Sequence, residues 1–96
     1  MYLKANKPFE LGNVFICTHV CATVPQEEID EALERHRRCD WGIELDSDER
    51  AKNDAALKNG KEVISLFVSK ECGKDIYIET SGDRKTTRVF RMDTYR

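Results

Sequence analysis

The sequence predicts a single α+β domain: a small antiparallel sheet of about four strands, in the order β-α-α-β-β-β, with a pair of helices packed on one face. Three observations lead there. An alternating run, N-V-F-I-C-T-H-V, is followed by two stretches with helical spacing, and three β-rich runs close the chain. Those runs, E-V-I-S-L-F-V-S, D-I-Y-I-E-T and T-T-R-V-F-R-M, are divided only by K-E-C-G-K and S-G-D-R-K, connectors short enough for antiparallel hairpins. Finally, 96 residues with 40% hydrophobic content suffice for one small core, so residues 1–96 form one domain.

Residues 1–12 are expected to be extended or partly disordered. In the first strand Val14, Ile16 and Thr18 point to one face, with Phe15, Cys17 and His19 on the other. Pro25 opens the first helix, where Ile29, Ala32, Leu33 and His36 form one stripe. Glu27, Glu28 and Glu31 lie near the positive end of its dipole, and Arg35, Arg37 and Arg38 near the negative end. Asp46 followed by Glu49 has capping-box spacing and starts the second helix, with Ala51, Ala55 and either Leu57 or Lys58 as a thin apolar stripe. Asn59 and Gly60 stop it. An exposed last strand would offer an edge on which a second copy could pair as a homodimer.

Composition excludes several classes. A net charge of −2 and a pI near 5.7 argue against a strong electrostatic nucleic-acid binder. No apolar run approaches the roughly 20 residues of a membrane span, and M-Y-L-K-A-N-K-P-F-E-L-G lacks the apolar core of a signal peptide, so a cytoplasmic protein without membrane association is expected. Cys17, Cys21, Cys39 and Cys72 are then free thiols. Charge is split along the chain: Glu27 to Asp54 holds eleven acidic and five basic residues, whereas Arg84 to Arg96 holds five basic and one acidic. That asymmetry suggests an acidic helical face and a basic C-terminal edge.

No constellation of residues specifies a reaction. Cys17, His19 and Cys21 alternate on one side of the first strand, where residues four apart lie about 13 Å from each other, too far for one zinc ion. No metal and no cofactor are therefore expected. His36 and Cys39, three apart at a helix end, resemble a base and nucleophile, but a thiolate there works against the dipole. Asp40, Glu44, Asp46, Asp48 and Glu49 lack the register of a calcium loop and read as a solvated connector. Asp83 and Arg84, before Thr86 and Thr87, either bind an anion or tie down their own loop. The last strand interleaves Arg88, Phe90, Met92 and Tyr95, a pattern suited to single-stranded nucleic acid and also to ordinary alternation.

From His36 onward, R-H-R-R-C-D-W-G, N-D-A-A-L-K-N-G-K-E-V-I-S-L-F, K-D-I-Y-I-E-T-S-G-D-R-K-T-T-R-V-F and a closing D-T-Y follow one another with short spacings. This order resembles a family of small proteins borne on bacterial plasmids, conjugative elements and phages. The resemblance covers about two thirds of the chain and rests on Asp40, Trp41 and Gly42; Asn53, Asp54, Ala56 and Leu57; Gly60 and Ser65; Ile76, Ile78 and Thr80; and Asp83, Arg84, Thr86 and Thr87. Cys39 stands where the family has glycine, Tyr77 where it has tryptophan, and Arg88 at a position usually apolar. What the resemblance implies is a genetic context, one in which small proteins often act against host defence by contacting a restriction or CRISPR complex.

Trp41 is expected to dock under the second helix, with Asp40 and Arg84 as ion partners and Asp83 or a main-chain carbonyl accepting from its indole. The leading expectation for function is a non-enzymatic protein-interaction module, its partner a host defence nuclease or its complex. The residues proposed for the contact are Glu27, Glu28, Glu31, Asp40, Trp41, Asp83, Arg84, Arg88 and Arg91. Alternatives are a small nucleic-acid binder using Arg88, Arg91 and Tyr95, and an enzyme built around His36, Asp40, Asp83 and Arg84.

Overall fold

A computed structural model describes residues 8–91. Its elements are β1 (Asn13–Ile16), α1 (Thr18–Thr23), α2 (Gln26–Arg37), α3 (Ser47–Asn59), β2 (Val63–Val68), β3 (Asp75–Thr80) and β4 (Thr86–Phe90). The α+β class and the four strands are as the sequence predicts. The strand order across the sheet is β1-β4-β3-β2, with β2, β3 and β4 antiparallel. The sheet is nevertheless mixed, because β1 runs parallel to β4 after the long helical crossover that parallel pairing requires. That places β4 inside the sheet, so the expected exposed edge is β1 and not the last strand.

The second difference lies at residues 17–23. The strand ends at Ile16, and the Cys17 N–H makes the last contact with β4 by donating to the Val89 carbonyl (2.8 Å). The Cys17 carbonyl then accepts from Val20 and Cys21 N–H, opening α1. Val20 within it and Val24 at its C-cap, four apart, are buried together. Their helical spacing lies inside a run that also alternates, and hence reads as more strand.

α2 ends in a Schellman motif: Asp40 N–H donates to the Arg35 carbonyl and Cys39 N–H to that of His36, with Cys39 at φ +68°. α3 starts as predicted, with the Asp46 carboxylate accepting from Glu49 N–H (2.9 Å), and stops at Gly60 in the left-handed region. Its buried face differs from the expected stripe. Ala51 and Ala55 are exposed, whereas Asn53 and Ala56 are buried.

Two apolar clusters follow. Val20, Val24, Ile29 and Ala32 of α1, the α1–α2 link and α2 pack on Phe67, Ile76, Ile78 and Val89 of the sheet. Trp41, Leu45, Ala56 and Val63 form the second cluster, at the β2 edge. On the opposite sheet face, register sets Phe15, Arg88, Glu79 and Ile64 in one row and Phe90, Tyr77 and Leu66 in the next. Among the described residues, no helix is long and apolar enough to cross a membrane.

Candidate functional site

Four of the polar side chains, Ser65, His36, Thr80 and Thr87, meet in the interior of the fold. Thr87 Oγ1 lies 2.7 Å from the Leu11 carbonyl, which only accepts, so Thr87 donates. Thr80, 2.7 Å from Thr87, must then donate its own proton to Thr87. Thr80 is left to accept from His36 Nε2 at 2.9 Å, which makes Nε2 the protonated nitrogen of the neutral ring. His36 Nδ1 therefore accepts from Ser65 Oγ. Every proton in the chain Ser65, His36, Thr80, Thr87, Leu11 points one way, and all four side chains have no solvent exposure. Burial, and then the positive charge of Arg84, push the His36 pKa down to about 3. Phe9 and Trp41 pack on the imidazole in edge-on contacts, with centroids 5.2 and 5.7 Å away.

A second bonded group closes the outer edge of β2. The Asn53 side chain donates to the Ile64 carbonyl (2.7 Å) and accepts from Ile64 N–H (3.0 Å), as a neighbouring strand would. Two residues on, Leu66 N–H donates to the Trp41 carbonyl (3.0 Å). The Trp41 indole donates to Asp54 Oδ1 at 3.1 Å, which corrects the expected acceptors, Asp83 or a carbonyl. Asp40 pairs with Arg35 at 2.8 Å and accepts from Gly42 N–H; it is not the partner of Arg84. Burial would raise the Asp40 pKa, but these two bonds outweigh it and hold the carboxyl below its ordinary range. The bonds of Asn53, Leu66 and the Trp41 indole join separate elements, so no local pattern announces them.

Arg84, at φ +60°, lies over the Phe9 ring and donates to the carbonyls of Lys61, Ser81 and Ala56, capping the negative end of α3. Asp83 accepts from Ser81 Oγ and Lys85 N–H within its own loop. Of the two possibilities left open, the loop tie is the one formed. His36, Asp40, Asp83 and Arg84 thus engage different partners, and none lines the groove of about 590 Å³ between α3 and β2. Burial, reinforced by Asp54, raises the Cys39 thiol pKa although Arg84 opposes it, which disfavours the thiolate. Cys17, His19 and Cys21 sit at the start of α1 and not along a strand, with Cys17 Sγ 3.9 Å from His19 Nδ1. Among the described residues no group of three or more His, Cys, Asp or Glu is placed to hold a metal ion.

The acidic face is smaller than the sequence suggests. Glu28 reaches across to the β2–β3 loop, accepting from Ser69 Oγ and from the N–H groups of Lys70 and Glu71. Desolvation works against the charged form, but these bonds keep its carboxyl below the ordinary range. Glu28→Ala is expected to loosen this loop: hydrogen exchange at the Lys70 and Glu71 amides should quicken while α2 keeps its helicity by circular dichroism. Glu27 and Glu31 remain exposed. Arg88 is exposed and donates to Glu79 at 2.7 Å; Arg91 is partly buried, and Met92 and Tyr95 lie outside the described residues.

The two most exposed large apolar residues were not singled out by the sequence as surface sites; Val14 and Val68 are less exposed. Ile43, immediately after the D-W-G turn, is 82% exposed, and Phe15 on β1 is 58% exposed. Ile43 sits among the exposed acids Asp40, Glu44, Asp46 and Asp48. Its signal was its position, an aliphatic residue inside an otherwise acidic connector. The chain matches no family model, no curated protein and no solved structure.

Proposed function

We propose that this chain is a non-enzymatic protein-interaction module whose contact surface is the acidic loop that presents Ile43. The observation that carries the reading is the 82% exposure of Ile43 in a loop whose neighbouring residues Asp40, Glu44, Asp46 and Asp48 are acidic and exposed. An isolated aliphatic anchor with a charged rim is the arrangement of a binding hot spot, and it fits a partner whose apolar pocket has a basic border. Glu27 and Glu31, toward the start of α2, are also exposed, whereas Glu28 is engaged within the fold.

The resemblance of the D-W-G, N-D-x-A-L and D-R-x-T-T elements to proteins of mobile genetic elements supplies the biological setting. In it the partner is a restriction or CRISPR complex, whose nucleic-acid-binding clefts are basic. The test is recovery of the tagged chain from a bacterium carrying such systems, with nuclease treatment. A stoichiometric defence subunit should survive the nuclease and be lost from Ile43→Asp, a variant expected to melt with the parent because the side chain is almost fully solvated. Retention of that subunit by Ile43→Asp would end the assignment of the surface.

A second reading, a small nucleic-acid binder, is favoured by one observation: Phe15 is in register with Arg88, placing an exposed ring beside a cation. Against it, Arg88 is paired with Glu79. It requires binding of single-stranded oligonucleotides that weakens steeply with salt.

A further inference from the structure

The two edges of the sheet are treated differently. At β2, Asn53 occupies both outward main-chain groups of Ile64, the Trp41 carbonyl takes the Leu66 N–H, and Gly42 lies close over the Leu66 carbonyl. At β1, Asn13, Phe15 and Cys17 face β4, as the bonds from Asn13 N–H to the Lys85 carbonyl and from Cys17 N–H to the Val89 carbonyl show. The N–H and C=O groups of Val14 and Ile16 therefore point outward, and among the described residues nothing pairs with them. Asn13 to Ile16 contains no Lys, no Pro and no charge, the features that usually protect an edge; only its shortness limits it.

We propose that β1 pairs antiparallel with β1 of a second copy, about a twofold axis at Phe15. The geometry is self-complementary. The two outward residues lie symmetrically about Phe15, so Val14 meets Ile16 of the partner and Ile16 meets Val14, and all four open main-chain groups of each copy are satisfied. Phe15 then stands directly opposite its twin as a non-hydrogen-bonded pair, with Cα atoms about 4.5 Å apart, and the two exposed rings cover each other. No like charges meet within the paired segment. A twofold contact of this kind closes on itself, and the blocked β2 edge prevents head-to-tail growth of the sheet into a filament. The result is one eight-stranded sheet.

Four paired residues bury well under the roughly 1,200 Å² of a stable dimer, so association is expected to be weak, in the range of tens to hundreds of micromolar. Sedimentation of the full chain from about 5 μM to 1 mM should show reversible dimerisation, with hydrogen-exchange protection of the Val14 and Ile16 amides rising in step. Phe15→Lys, which sets two cations opposite each other at a solvated position, should weaken association at least about tenfold without changing the monomer's melting. Val14→Pro removes an outward donor and leaves the β1–β4 bonds in place, so it should have the same effect. A mass that stays monomeric at 1 mM would overturn the proposal. So would a dimer that persists in both variants with the two amides unprotected.

Discussion

Acidifying the protein from pH 7 to pH 5 is expected to lower its unfolding free energy by roughly 2 kcal/mol through His36 alone. The imidazole titrates near its ordinary 6.5 in the unfolded chain and near 3 in the fold, where burial and then the charge of Arg84 oppose protonation. The folded state thus binds fewer protons. Its advantage is fully present above pH 6.5 and drains away as pH falls from 6.5 towards 3. The bonded chain adds a geometric reason: a protonated Nδ1 can no longer accept from Ser65, whose hydroxyl would have to turn away inside a dry core. Glu28, Asp40 and Asp83, all held below the ordinary carboxylate range, lose their bonds only at lower pH, so the interval from 6.5 to 5 isolates the histidine. Urea titrations across that interval should give a slope approaching 1.4 kcal/mol per pH unit, one proton per molecule. An unfolding free energy that stays flat from pH 7 to 5 would refute the assignment. A second measurement avoids unfolding: ¹⁵N shifts of the His36 ring should report the Nε2–H tautomer unchanged down to about pH 4.

How far the sequence disclosed this arrangement depends on the range of the signal. The α+β class, α2, the Asp46 cap, the Gly60 stop and the three C-terminal strands are written in local pattern, and all are found. His36 completes a helical stripe, and its place as a hydrogen-bonded core residue was readable from that spacing. Partners were not. Asp40 lies five residues from Arg35, which the Schellman turn brings back onto it, and nothing in the sequence ranks that pairing above one with Arg84. The buried face of α3 was misplaced because Asn53, a polar residue, occupies the innermost position, where its amide substitutes for a strand. A hydrophobic pattern has no means of marking such a position. α1 was missed because alternation and helical spacing coincide around Val20. The D-W-G, N-D-x-A-L and D-R-x-T-T elements read as a site because they are polar and close-set. In the fold most of them bond to one another: Trp41 to Asp54, Asn53 to β2, Thr80 to Thr87, and Arg84 to the end of α3.

The glycine of the D-W-G turn has no room for a side chain. Gly42 has φ +88°, and a Cβ built on it would lie 1.9 Å from the Leu66 carbonyl oxygen and 3.3 Å from a Phe67 ring carbon. The backbone there has little room to withdraw. Trp41, one residue earlier, accepts from Leu66 N–H, the Gly42 N–H is held by Asp40, and the indole is fixed by Asp54. Relief must come from lifting the loop off β2, which exposes Trp41 and frees an edge amide. Gly42→Ala is therefore expected to destabilise the fold by about 4 kcal/mol, combining left-handed strain with overpacking against main chain. Gly60→Ala is the matched control: its φ of +68° imposes similar strain, but nothing lies within 4 Å of the new methyl group. That variant should lose only about 1 kcal/mol. The difference between the two in urea midpoints measures how tightly the turn crosses β2. Equal losses would mean that the loop can retreat without penalty, and that Asn53 alone protects this edge of the sheet.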